Sequence, residues 1–126
     1  MEIKDKVVVV TGAASGIGRA LCQRFAKEGA RAIVAADINA DGVAETLTLT
    51  GGQSETLGLT CDVANESSVA ELVKQALSRF THIDLFCSNA GIFTPGDEQV
   101  PDSEWQKIWD INVMGHIYAA RAVLPS

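Results

Sequence analysis

Basic residues are scarce in this sequence: ten lysines and arginines stand against sixteen acids, and they form no cluster. A net charge of −6 without a basic patch argues against a nucleic-acid surface. No apolar run approaches the roughly 18 residues that a membrane helix needs. The opening Met1-Glu2-Ile3-Lys4-Asp5-Lys6 carries charges of both signs and lacks the apolar core of a secretory signal. A soluble chain with no membrane partner is expected. Cysteine is limited to Cys22, Cys61 and Cys87, an odd number without a C-x-x-C pair. These read as small buried residues of a reduced, cytoplasmic protein. His82 and His116 have no carboxylate or cysteine at metal-ligand spacing, so no metal is expected and both read as surface or packing residues. Ser88 has no base placed for it and reads as a strand-end residue, not a nucleophile. Trp105 and Trp109, one turn apart, read as core.

What is present is an alternation of strand and helix patterns over 126 residues, a length that fits one domain, 1–126. Strand one is predicted over 6–10 and helix one over 16–28, closed by Gly29. Strand two, 31–36, holds the unbroken apolar run Ala32-Ile33-Val34-Ala35-Ala36, the mark of a parallel strand buried on both faces. Asn39 caps helix two, 40–48, and Gly51-Gly52 precedes strand three, 55–60. Asn65 caps helix three, 66–80, whose buried face is Val69, Leu72, Val73, Ala76, Leu77 and Phe80 at helical spacing. Strand four is 84–87. A polar loop, with Asp97 and Glu98 solvated, leads to a last helix from Pro101 or Asp102 toward Leu124. That helix is apolar around more than one face and needs partners on two sides.

Right-handed crossovers arrange such units as a doubly wound α/β sheet of Rossmann type, a three-layer αβα structure, in the order 3-2-1-4. Strands one and four then flank the switch point, where such sheets bind ligands. There lies Thr11-Gly12-Ala13-Ala14-Ser15-Gly16-Ile17-Gly18, between strand one and helix one. A strand feeding a glycine-rich turn that opens a helix builds a phosphate site from free N–H groups and the helix dipole. No Gly-Lys-Ser/Thr follows, which excludes a nucleoside-triphosphate P-loop. The spacing also fits poorly with a Rossmann-type methyltransferase.

Thr11-Gly12-x-x-x-Gly16-x-Gly18, Asp62-Val63, Asn89-Ala90-Gly91 and Asn112, in this order, resemble the short-chain dehydrogenase/reductase family over the whole chain. The resemblance implies an NAD-dependent oxidoreductase that moves hydride between a small-molecule alcohol or ketone and nicotinamide. It implies a pyrophosphate over Gly12, Ser15, Gly16, Ile17 and Gly18, and adenine against Asp62, Val63 and Ile111. Asn89, Ala90 and Gly91 would line the cofactor channel, and Asn112 would support the active site through its backbone carbonyl. Asp37, ending strand two, would accept from the adenosine ribose hydroxyls. Ser15 and Ile38-Asn39 stand where NADP-preferring relatives usually carry a basic residue, so NAD is expected over NADP.

The family's catalytic serine and Tyr-x-x-x-Lys have no counterpart: Tyr118 is the only tyrosine, and Ala122 stands four residues later. The resemblance therefore implies the N-terminal half of a larger enzyme, with the sheet incomplete at its C-terminal side, inactive alone and assembling as a homodimer or homotetramer. If the chain were naturally whole, a non-catalytic NAD-binding or sensing module would be the better reading.

Overall fold

Four consecutive valines and a threonine, Val7–Thr11, form the central strand β1 of a computed structural model that describes residues 1–125. Parallel partners flank it, β2 (Ala32–Asp37) on one side and β4 (Leu85–Cys87) on the other. Strand β3 (Glu55–Thr60) pairs in parallel with β2, which gives the expected order β3-β2-β1-β4. Both inner strands are apolar up to their last residues, Thr11 and Asp37, as strands covered on both faces are.

On one face, Val8, Val10, Ile33 and Ala35 pack with Cys22 and Ala26 of α1 (Gly16–Lys27) and Val43 of α2 (Ala40–Thr50). On the other, Val7, Val9 and Val34 meet Val69, Leu72, Ala76 and Phe80 of α3 (Glu66–Phe80) and Ala119 of α5 (Gly115–Val123). Each fully buried valine contributes about 1.5–3 kcal/mol of transfer free energy. The result is the three-layer αβα arrangement. Among the described residues no helix is long and apolar enough to cross a membrane.

Element ends shift slightly, for visible reasons. β1 and β2 lie one residue later than expected. β4 starts at Leu85, and the Asp84 carboxylate instead accepts from the Val7 amide at 2.8 Å. Helix α2 runs on to Thr50, and within it the hydroxyls of Thr48 and Thr50 donate to the carbonyls of Ala44 and Thr46 in place of water. Asn39 and Asn65 cap as expected, their side chains accepting from Gly42 and Ser68 amides at 3.0 and 3.1 Å.

Three expectations are corrected. The last helix is not uniform: α4 (Asp102–Trp109), with Pro101 at its cap position, passes through a π-helical turn, Asp110–Met114, into α5. Trp105 and Trp109 are not core; both stand about half exposed, because apolar spacing marks a helix face without saying what covers it. Cys22 and Cys61 are buried, but Cys87, on the outer strand β4, is only half-buried.

Candidate functional site

The cleft opens where β1 and β4 deliver their chains to opposite sides of the sheet. Thr11, buried at the end of β1, holds the two exits together. Its hydroxyl donates to the Cys87 carbonyl and accepts from the Asn89 and Ala90 amides, at 3.0 and 3.3 Å. The Asn89 amide group donates to the Thr11 carbonyl at 3.3 Å. Between them the chain must turn without a side chain. Gly12 has φ +68, and a Cβ there would come within 2.9 Å of Ala90 Cα. A Cβ on Gly18 would overlap the Gly12 carbonyl oxygen, so the first turn of α1 lies directly against the loop.

Over that loop the space is open. Gly16 has φ +55, and beyond its chain neighbours and its own helix backbone no protein atom lies within 4 Å of where its Cβ would be. Ser15 at the N-cap makes no side-chain cap bond, and the first turn of α1 holds no acid. The first-turn amides and the positive end of the dipole are thus left to a ligand, and no carboxylate competes with an anion there.

Asp37 stands at the end of β2, with one carboxylate oxygen accepting from the Ala14 amide at 3.1 Å and the other from the Asn39 amide at 3.0 Å. Each oxygen keeps capacity for a further donor, and Asp37 lines the cleft. Asp62, after β3, accepts from the Ala64 amide at 3.0 Å, while its own amide donates to the Ser68 hydroxyl. Val63 is pressed by the last helix, where a Cβ on Gly115 would meet the Val63 carbonyl oxygen at 3.2 Å. Burial raises the thiol of Cys61 above its ordinary value; the Ser68 hydroxyl opposes this, and Asp62 and Asp37 add to it. The thiol is thus kept protonated in the neighbourhood of both carboxylates.

These parts line one cleft of about 380 Å³, within the range of small-molecule sites. Gly12, Ser15, Gly16, Ile17, Asp37, Ile38, Asp62, Val63, Asn89, Ala90, Gly91 and Ile111 all face it. Gly18 does not; its place is underneath, where it lets helix and loop touch. Asn112 does not line the cleft either. Its side chain pairs with the backbone of Ile92, and Ile92 is a wall that the motifs did not single out for the cofactor, as is Cys61.

Two further groups went unread in the sequence. Arg19 and Thr46 reach the carbonyls of Ala13 and Ala14 behind the turn. Ser88, expected to lack a base, has His116 Nδ1 2.5 Å from its Oγ, across 28 positions of sequence. No carboxylate pairs with His116 among the described residues, and neither residue lines the cleft. Tyr118 packs beside the α3 core with Arg121 over its ring, and it too lies outside the cleft.

The arrangement suits an elongated ligand with an anionic middle, a hydroxyl-bearing end near Asp37 and a flat apolar group against Val63 and Ile111. A family model described as short chain dehydrogenase matches residues 6–126. The CLA biosynthesis dehydrogenase/reductase of Lactiplantibacillus plantarum is 36% identical over 126 residues, 98% of this chain and 44% of that protein. A 1-deoxy-11-beta-hydroxypentalenate dehydrogenase of Streptomyces avermitilis is 37% identical, over 99% of this chain and 47% of its own. Among solved structures, a short chain dehydrogenase/reductase from Burkholderia phymatum in complex with NAD superposes with a TM-score of 0.92 at 32% identity, covering 99% of this chain and 45% of that one. A 3-ketoacyl-(acyl-carrier-protein) reductase from Brucella melitensis complexed with NADH gives 0.90 at 34% identity, over 98% and 50%. The chain spans about half the length of the relatives it matches.

Proposed function

Because the chain belongs to the short-chain dehydrogenase family, we propose that its cleft binds NAD(H) and serves hydride transfer between an alcohol and a ketone. The observation that carries this is the pairing of an acid-free helix N-terminus with a carboxylate across the same cleft. The turn from Gly12 to Ile17 would hold the pyrophosphate, with Gly18 beneath it as the residue that brings the helix close. Asp37 would accept from the adenosine ribose hydroxyls, and its charge would repel a 2′-phosphate. Ile38, exposed beside it, offers no cation to offset that charge. Asp62, Val63 and Ile111 would hold adenine, and Asn89, Ala90 and Gly91 would guide the cofactor toward the mouth.

When bound, the nicotinamide supplies the hydride acceptor or donor. The residues described here bind, orient and exclude water. Asn112 acts as a positioning residue through Ile92. The small-molecule substrate, its alcohol or ketone class and assembly as a homodimer or homotetramer belong to the same proposal.

Titration of the intact protein with NADH and NADPH, followed by nucleotide fluorescence and calorimetry, tests the reading. NADH should bind at micromolar concentration and more tightly than NADPH. Tighter NADPH binding would overturn the choice of cofactor, and no binding of either would overturn the site.

A further inference from the structure

Two polar side chains are buried among the described residues, Thr11 and Thr46: the first is bonded to the loop after β4 and the second to the glycine turn. Thr11 explains itself as the joint between β1 and the Asn89 loop. Thr46, on α2 and fully buried, does not belong to any cleft wall. Its hydroxyl donates to the Ala13 carbonyl at 2.6 Å and accepts from Arg19 Nε at 2.9 Å. Arg19, in the first turns of α1, donates from Nη2 to the Ala14 carbonyl at 2.6 Å and to the Gly42 carbonyl at 3.4 Å. Its Nη1 reaches Glu45 at 3.4 Å.

The consequence is geometric. A phosphate-binding turn works only if the amides that meet the ligand are left free while its remaining polar groups are bonded within the protein. The carbonyls of Ala13 and Ala14 are turned backward and satisfied by Thr46 and Arg19. The amides of the same two residues are fixed by the Ala36 carbonyl and the Asp37 carboxylate, each at 3.1 Å. Helix α2 is brought against the turn as well: a Cβ on Gly42 would come within 2.6 Å of Ala14 Cβ. Arg19 and Thr46 thereby connect the turn, helix α2 and Asp37 into one unit.

We infer that Arg19 and Thr46 form a clamp that sets the orientation of the Gly12–Gly16 turn and, through Ala14, the aim of Asp37. They are positioning residues for a dinucleotide they do not touch. This rests on the proposed cofactor reading for its effect on affinity, but the clamp itself is a property of the free protein.

The experiment uses the intact protein as wild type, Thr46→Val, Thr46→Ser and Arg19→Lys. Hydrogen exchange of the Ala13 and Ala14 amides is measured against that of Val8 and Val9 in the strand core, and NADH affinity is measured in parallel. Thr46→Val and Arg19→Lys should each speed exchange at Ala13 and Ala14 relative to the strand and weaken NADH about tenfold, because the freed turn then holds the binding geometry only part of the time. Thr46→Ser, which keeps the hydroxyl, should stay within about twofold of wild type on both readouts. Exchange that rises equally at turn and strand would overturn the clamp, since it would mark a general loss of stability. So would Thr46→Ser behaving like Thr46→Val. Arg19, partly exposed, gives the same answer should Thr46→Val fail to fold. A wild type indifferent to NADH would overturn the cofactor reading and the affinity arm, while the exchange rates would still decide the clamp.

Discussion

Asn112 uses both ends of its side-chain amide on one residue. Its Oδ1 accepts from the Ile92 amide and its Nδ2 donates to the Ile92 carbonyl, each at 2.8 Å. Ile92 is the residue at which the Asn89-Ala90-Gly91 segment leaves the cleft, so this pairing ties the loop after β4 to the π-helical turn. The same turn places Ile111 in the cleft, one residue away. Replacing Asn112 with Ala removes both bonds and leaves a half-buried amide and carbonyl to water. A loss of about 1–2 kcal/mol is expected in urea unfolding. Asn112→Asp keeps one bond and sets a carboxylate oxygen against a carbonyl, so it should fall below Asn112→Ala at pH 7. An unchanged urea midpoint in both variants would refute the tie.

Burial pushes the Cys22 thiol from its ordinary value of 9.0 to about 11, with nearby Cys87 adding to the rise. In that window the folded state holds a proton that the unfolded chain has released, so stability falls as pH rises through it. Well below pH 9 the contribution is fully present; by pH 11 about 2 kcal/mol is lost. Cys22→Ala should be less stable than wild type at pH 8, through the small cavity, and lose less on going to pH 11. Urea midpoints for both proteins at pH 8, 9.5 and 11 check the difference. Parallel curves would show that Cys22 does not titrate in this way.

Asp37 connects charge to cofactor choice. Its two oxygens already hold the Ala14 and Asn39 amides, so the carboxylate is held in place before a ligand arrives. Asp37→Asn keeps an acceptor while removing the charge. NADH should then bind several-fold more weakly and NADPH more tightly, and the ratio of their dissociation constants should narrow by about tenfold. Calorimetric titration of both nucleotides measures that ratio. An unaltered ratio would mean that the 2′-position lies elsewhere.

Much of this site could be read in sequence because its parts are local. Gly12, Gly16 and Gly18 follow an apolar strand, Asp37 ends the next one, and Asn89-Ala90-Gly91 ends the fourth; each needs a particular residue at a strand exit. The order of the strands followed from the alternation of strands and helices, since right-handed crossovers arrange such units as 3-2-1-4. What stayed hidden depends on distance in sequence. Arg19 and Thr46 meet across 27 positions and Ser88 and His116 across 28, with no periodicity to announce either pair. The π-helical turn inserts one wider turn into a continuous helical pattern, and the apolar spacing of Trp105 and Trp109 reads the same whether or not a neighbour covers them.

Gly16 and Gly18 separate two reasons for a glycine within three residues. At Gly18 the backbone is ordinary, but a Cβ would overlap the Gly12 carbonyl oxygen, which is backbone and cannot swing aside. Gly18→Ala must move the helix off the loop, and a stability loss of about 2–4 kcal/mol is expected from overpacking a buried contact. At Gly16 the reverse holds. Nothing in the protein meets an added methyl, and the cost to folding is the left-handed backbone alone, about 1 kcal/mol. That methyl would stand in the open space over the turn, where an anion is proposed to sit. Gly16→Ala should therefore melt close to wild type yet bind NADH at least tenfold more weakly, a loss of affinity larger than its loss of stability. Thermal melts and NADH titrations of the two variants decide the matter, and a Gly16→Ala protein that binds NADH normally would place the pyrophosphate away from this turn.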